Sequence, residues 1–141
     1  MTISTQTREQ VESVLRAFTD AYSARDTEGV MALVAPGFAG FWSGPGEKLT
    51  SANEFGNRLS REFSRCGTLS LDLLDLRIDA SGTVAWVLAD AIVGAGTGGV
   101  THRRPGRLTM VLVGTGHTWK LVQSHFSLPE QKPGDAAFPS P

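Results

Sequence analysis

The chain divides into two kinds of apolar periodicity, and that division constrains its fold more than any other feature. Up to about residue 67 the apolar residues recur every three or four positions; from Thr68 onward they alternate. Val11, Val14, Leu15, Phe18 and Tyr22 mark one face of a first helix. Thr7-Arg8-Glu9-Gln10 has the capping-box pattern before it, and the helix is predicted to end near Ala24–Arg25. Asp26 is the predicted N-cap of a shorter helix from Thr27 to Val34, which Pro36-Gly37 terminates. A short strand is expected over Phe38–Ser43, with a turn at Gly44-Pro45-Gly46. A third helix opens on a second capping box, Ser51-Ala52-Asn53-Glu54. It buries Phe55, Leu59 and Phe63 and stops at Gly67.

The second half reads as strands. Leu69, Leu71 and Leu73 keep one phase; Leu74, Leu76 and Ile78 continue one residue out of step. A β-bulge would produce that slip and bend the strand. A turn at Asp79–Gly82 leads to a strand over Thr83–Val93. Two more strands, Arg107–Val113 and Thr118–Ser127, flank a Gly114-Thr115-Gly116-His117 turn. The last strand mixes core-like Trp119, Leu121, Val122 and Phe126 with polar Gln123, Ser124, His125 and Ser127. Such a strand either lines a cavity or keeps one face in solvent. Helices followed by long antiparallel strands make an α+β fold with the helices on one face of a bent sheet.

A chain of 141 residues, 40% hydrophobic and 19% charged, is expected to form one domain, placed here at residues 1–128. The stretch 129–141 holds four of the seven prolines and is expected to be a flexible tail. A formal net charge of −1 gives no electrostatic pull toward nucleic acid or anionic lipid. The basic cluster His102-Arg103-Arg104 with Arg107 is too short for a binding stripe. No apolar run reaches about 18 residues, and the first residues have no signal-type apolar core. Cys66 is the single cysteine, so no intramolecular disulfide forms. These features together predict a cytoplasmic protein without nucleic-acid or membrane partners.

Few catalytic patterns survive inspection. Gly94-Ala95-Gly96-Thr97-Gly98-Gly99 matches G-x-G-x-x-G in letters, but a helix must follow it to hold a pyrophosphate, and a strand follows instead. The stretch is read as a hairpin loop, which would also suit a cover over a cavity mouth. His102, His117 and His125 form no metal-ligand spacing, and no G-x-S-x-G is present. Neither a metal nor another cofactor is therefore expected.

The order of elements, the segment Ala21-Tyr22-Ser23-Ala24-Arg25-Asp26, and the closing Arg107-x-Thr109…Trp119-Lys120-x-Val122-x-x-His125-x-Ser127 carry a resemblance. Together they resemble SnoaL-like, ketosteroid-isomerase-like members of the nuclear transport factor 2-like superfamily over about Thr7–Pro129. The Trp…His-x-Ser ending is also similar to the association domain of calcium/calmodulin-dependent kinase II. The resemblance implies a cystatin-like cone, in which a curved antiparallel sheet wraps a long N-terminal helix. It further implies an apolar pocket at the open end and a homodimer through the outer sheet face. Such folds host isomerases, cyclases, dehydratases, epoxide hydrolases and non-catalytic modules, so fold alone does not choose among them.

In ketosteroid isomerase a carboxylate abstracts a proton beside a carbonyl, while a Tyr and a protonated Asp hold the oxyanion. Counting along this chain, those three positions fall on Trp42, Phe18 and Thr109, none of which keeps the chemistry. The same count turns Trp86, Leu88 and Asp90 inward from one strand and Arg107, Thr109 and Val111 from the next. Asp90 with Arg107 then becomes either a buried catalytic pair or a structural ion pair on an exposed face. Ser124 and Phe126 face inward. His125 is either a pocket acid–base or a residue of the dimer face. The resemblance thus implies a small, largely apolar organic ligand touching Phe18, Trp42, Phe55, Leu59, Trp86, Leu88, Thr109, Ser124, His125 and Phe126. Asp90, Arg107 and Tyr22 are the candidates for proton-transfer chemistry. The alternative is a non-catalytic dimeric binding or assembly module.

Overall fold

The computed structural model describes residues 3–115 and 117–129. Three helices, α1 (Thr5–Ser23), α2 (Thr27–Met31) and α3 (Ala52–Arg65), accompany six strands. The strands are β1 (Val34–Phe41), β2 (Lys48–Leu49), β3 (Thr68–Ser81), β4 (Val84–Thr97), β5 (Val100–Gly114) and β6 (Trp119–Ser127). They form one sheet in the order β2-β1-β6-β5-β4-β3. This is the α+β architecture that the two periodicities required, with helices packed against one face. No helix among the described residues is long and apolar enough to cross a membrane.

Caps define the helix starts. Ser4, rather than Thr7, caps α1: its side chain accepts from the Thr7 amide, so the helix begins three residues earlier than the capping box suggested. Asp26 caps α2 through the Gly29 amide, as expected. Ser51 caps α3 through the Glu54 amide, while Glu54 reaches back to the amide and hydroxyl of Thr50. Those two bonds lower the Glu54 pKa, because they favour its charged form.

Three expectations need correction. First, α2 ends at Met31, and Val34 already belongs to β1. Pro36 and Gly37 are exposed where the β1–β6 register shifts between Val34 and Ala39, so the missing proline N–H interrupts no regular ladder. Second, the sheet is not wholly antiparallel: β1 runs parallel to β6. The long excursion through α3 and β3–β5 lets the chain return in that direction. Ala39, Gly40 and Phe41 pair with Gln123, Ser124 and His125, and a Cβ on Gly40 would overlap the Ser124 carbonyl. Third, β4 and β5 extend well beyond their predicted ends, to a two-residue turn at Gly98-Gly99. Both glycines have positive φ, 60° and 83°; the expected hairpin is there, but its loop is confined to these two, and residues 94–97 belong to β4. The bulge in β3 is present, between Leu74 and Arg77, and Asp75 within it takes φ 51°. The predicted tail from Glu130 onward lies outside the described residues.

The core sits between the helices and the inner sheet face. α1 contributes Val11, Leu15, Phe18 and Tyr22; α3 contributes Phe55, Leu59 and Phe63. β4 answers with Ala85, Val87, Ala89, Ala91 and Val93, and β5 with Leu108, Met110 and Leu112. The inward set of β4 is rich in alanine. Trp86 and Leu88 therefore stand on the other face, and the inward register expected for Trp86, Leu88, Asp90, Arg107, Thr109 and Val111 is off by one residue. A slip of one exchanges the two faces of a strand.

Candidate functional site

Most of the interior is apolar, but a chain of polar side chains crosses it. On α3 the helical stripe that buries Phe55, Leu59 and Phe63 also buries Arg58 and Glu62. The Tyr22 hydroxyl, from α1, donates to Glu62 Oε2 at 2.8 Å. Arg58 Nη1 lies 2.9 Å from the same oxygen, although its N–H vectors are not aimed at it. Arg58 Nε donates to both oxygens of Glu47, at 3.1 and 3.0 Å. Glu47 sits in the turn before β2 and also accepts from the Gly44 amide at 3.0 Å. Arg58 is 1% exposed and Glu47 19%, so the chain runs from near the surface to the heart of the core.

Burial shifts the titration of two groups here, Tyr22 and Cys66. Tyr22 is held well above the ordinary phenol pKa, first by burial and then by the charge and hydrogen bond of Glu62. It is therefore a neutral O–H donor at physiological pH. The Cys66 thiol is pushed up too, by burial and then by Glu62, which makes it a poor nucleophile.

Trp42, just after β1, is buried in the core beside this chain. Its ring centroid lies 5.0 Å from Phe55 and 5.0 Å from Phe126. Its backbone N–H donates to the Glu47 carbonyl. Among the described residues, the indole Nε1–H is buried without a hydrogen-bond partner. A buried donor left unsatisfied costs about 1–3 kcal/mol. Ser124 also faces inward, but its hydroxyl is engaged by the Thr109 carbonyl at 3.2 Å.

The structure thus separates the residues expected in one pocket. Phe18, Tyr22, Trp42, Phe55, Leu59, Ser124 and Phe126 are interior. Trp86, Leu88, Asp90, Arg107, Thr109 and His125 are on the outer sheet face, exposed but still together. Leu88, Asp90, Arg107, Thr109 and His125 line a groove of about 490 Å³, with Asp75 and Arg77 at its β3 side. Asp90 and Arg107 are direct cross-strand partners. A second row reads Arg77, Leu88, Thr109, His125, Phe41 across five strands. His125 packs on Phe41, ring centroids 5.4 Å apart. Among the described residues no three His, Cys, Asp or Glu side chains gather as a metal site.

Comparison with known proteins agrees with this architecture. Residues 11–131 match the family model of a SnoaL-like domain. A candidate dehydratase of the NTF2-like family from Streptomyces avermitilis superposes with a TM-score of 0.80 at 20% identity, over 87% of this chain and 97% of that one. A candidate scytalone dehydratase from Novosphingobium aromaticivorans gives 0.80 at 13% identity, over 96% and 92%. A candidate calcium/calmodulin-dependent kinase II association domain from Xanthomonas campestris gives 0.76 at 14% identity, over 86% and 87%. No curated protein matches the sequence. At these identities the structural likeness speaks to fold alone.

Proposed function

Because the chain belongs to the SnoaL-like domain family, we propose that it binds a small, largely apolar organic molecule between α1, α3 and the inner sheet face, and moves a proton on it. The carrying observation is the unpartnered indole N–H of Trp42, buried among aromatic rings beside the Glu47–Arg58–Glu62–Tyr22 chain. An oxygen acceptor on a ligand would satisfy that donor. In this reading Glu62 is the proton acceptor. The contacts from Tyr22 and Arg58 both fall on its Oε2, which leaves Oε1 for a substrate proton. Tyr22 and Arg58 position Glu62, and Phe18, Phe55, Leu59 and Phe126 supply the apolar surround. Isomerisation, cyclisation and dehydration all use such a step, and two of the structural neighbours are candidate dehydratases. Asp90 and Arg107 stand outside this chemistry, on the opposite face of the sheet.

The test needs no knowledge of the natural substrate. 2-Tetralone is small, apolar, carries one carbonyl and has acidic protons beside it. In D2O, NMR follows their exchange: a base removes the proton, charge moves to the carbonyl oxygen, and deuterium returns to carbon. The protein is expected to accelerate exchange, Glu62→Gln to abolish the acceleration, and Trp42→Phe to weaken it about tenfold or more. Equal rates for wild type and Glu62→Gln would end the proposal.

A second reading, an assembly module, draws on a different observation. An antiparallel sheet with one solvated face alternates apolar and polar residues. Strand β4 does not, because Val84, Trp86 and Leu88 are 37%, 38% and 51% exposed while their neighbours are buried. Such a face calls for a cover. We propose that the cover is a second copy of this chain, and the two readings are compatible.

A further inference from the structure

Resting on the reading of an interior ligand site, we infer that residues 42–47, between β1 and β2, are the door to that site and that the Glu47–Arg58 ion pair is its latch. Such a site needs a door. Trp42, Phe55, Leu59 and Phe126 are all buried, so a ligand that meets the Trp42 indole must displace part of the wall. The helices are held by their rows of buried side chains, and the neighbouring strands by ladder pairing. The turn is built differently. Its ends are fixed close together: Phe41 pairs with both His125 and Lys48, and Gly40 with Leu49. Between those ends three hydrogen bonds are internal to the turn. The Trp42 amide donates to the Glu47 carbonyl, the Glu47 amide to the Gly44 carbonyl, and the Gly44 amide to Glu47 Oε1. Bonds of that kind travel with the segment, so it can move as one body. Among the described residues, the hydrogen bonds that tie it to another element are the two from Arg58 Nε to the Glu47 carboxylate.

The energetics are poised. Closed, the segment holds the Trp42 indole N–H without a partner, and that penalty favours opening, which lets the donor reach water. Opening also separates the Trp42 ring from Phe55 and Phe126, which favours closing. Glu47 is partly exposed and returns to solvent readily, while Arg58 keeps its contact with Glu62. The charge-assisted Arg58–Glu47 pair therefore holds the balance on the closed side. A ligand with an apolar body and one oxygen acceptor replaces both things that opening gives up: it covers the exposed rings and accepts from the indole.

Solvent exchange of the Trp42 indole proton reads the opening without any ligand. The full chain has three tryptophans, so a 15N-labelled sample gives three indole signals, assigned by replacing each in turn with phenylalanine. Trp119, whose indole donates to Gln10, is the control for global unfolding. Glu47→Gln keeps the size and removes the charge. Gly44→Ala keeps the charge but sets a Cβ about where Glu47 Oε1 lies, 2.9 Å away, and so unseats the carboxylate. Both variants are expected to speed exchange at Trp42 about tenfold or more and to leave Trp119 unchanged. Added 2-tetralone is expected to slow Trp42 exchange in wild type, as its carbonyl takes the N–H. Unchanged Trp42 exchange in both variants, or an equal rise at Trp42 and Trp119, overturns the door. If both variants behave as stated but 2-tetralone alters neither Trp42 exchange nor its own deuterium uptake, the latch is upheld and the interior-site reading falls.

Discussion

Replacing Arg58 by methionine probes the buried polar chain most directly. Arg58 is 1% exposed and touches two carboxylates. Methionine fills similar volume but removes the charge and every N–H. Glu62, 7% exposed at its side chain, would then keep, among the described residues, only the Tyr22 hydroxyl as a partner. Removing one member of a buried ion pair costs about 3–5 kcal/mol, because a desolvated charge is left behind. Glu47 is nearer solvent, and its loss of partner adds little. With a urea m-value of roughly 2 kcal/mol/M, the midpoint should fall by about 2 M. Stabilities of small domains are about 5–15 kcal/mol, so the variant should still fold under native conditions in all but the lower part of that range. The decisive comparison is the double variant Arg58→Met/Glu62→Leu. It removes both charges together, and replacing a buried pair by apolar groups is often neutral or better. Its midpoint should therefore lie above that of Arg58→Met alone, giving a coupling of about 2 kcal/mol or more in the mutant cycle. A single-variant loss under about 1 kcal/mol, the range of exposed pairs, would refute the argument that this network is buried and interdependent.

Tyr22 is the only tyrosine in the chain, so phenolate absorbance reports it alone. Its folded pKa lies above the unfolded value near 10. The stability it contributes is complete below pH 10 and is lost as pH rises toward the folded pKa, at about 1.4 kcal/mol per pH unit. Alkaline urea titrations should show that slope in wild type and not in Tyr22→Phe, and phenolate should appear only with unfolding. Gly40→Ala should destabilise by roughly 2–3 kcal/mol, since its Cβ meets the Ser124 carbonyl, a backbone atom that cannot move aside. Gly37→Ala, with nothing within 4 Å, is the control and should be near neutral by the same denaturation assay.

Helices, caps and fold class were legible because their signals are local. The spacing of Phe55, Leu59 and Phe63 and the Asp26 and Ser51 caps each act within a turn or two. The same spacing carried the missed site as well. Arg58 and Glu62 occupy buried positions of the very stripe that identified α3, but charged residues read by default as solvated. Only the tertiary partners Tyr22 and Glu47, 40 and 11 residues away in sequence, make their burial tolerable. The parallel β1–β6 pairing was likewise beyond local signals, since it joins segments more than 80 residues apart.

The phase of β4 was illegible for a reason that bears on function. A strand reveals its inner face by alternation, and β4 has almost none: alanines and valines point in, a tryptophan and a leucine point out. A chain selected only to fold as a monomer would place polar residues at 86 and 88, and the period would then have been plain. The ambiguity that misdirected the placement of Asp90 and Arg107 thus comes from the same exposed Trp86 and Leu88 on which the proposed second copy rests. An apolar outer face costs solubility in isolation. It is tolerable when a second copy covers it, and Leu88→Glu should accordingly raise solubility as it breaks the pair. If that variant lowered solubility and left the sedimenting species unchanged, the exposed leucine would have no covering partner, and the reading of β4 as a two-sided strand would fail.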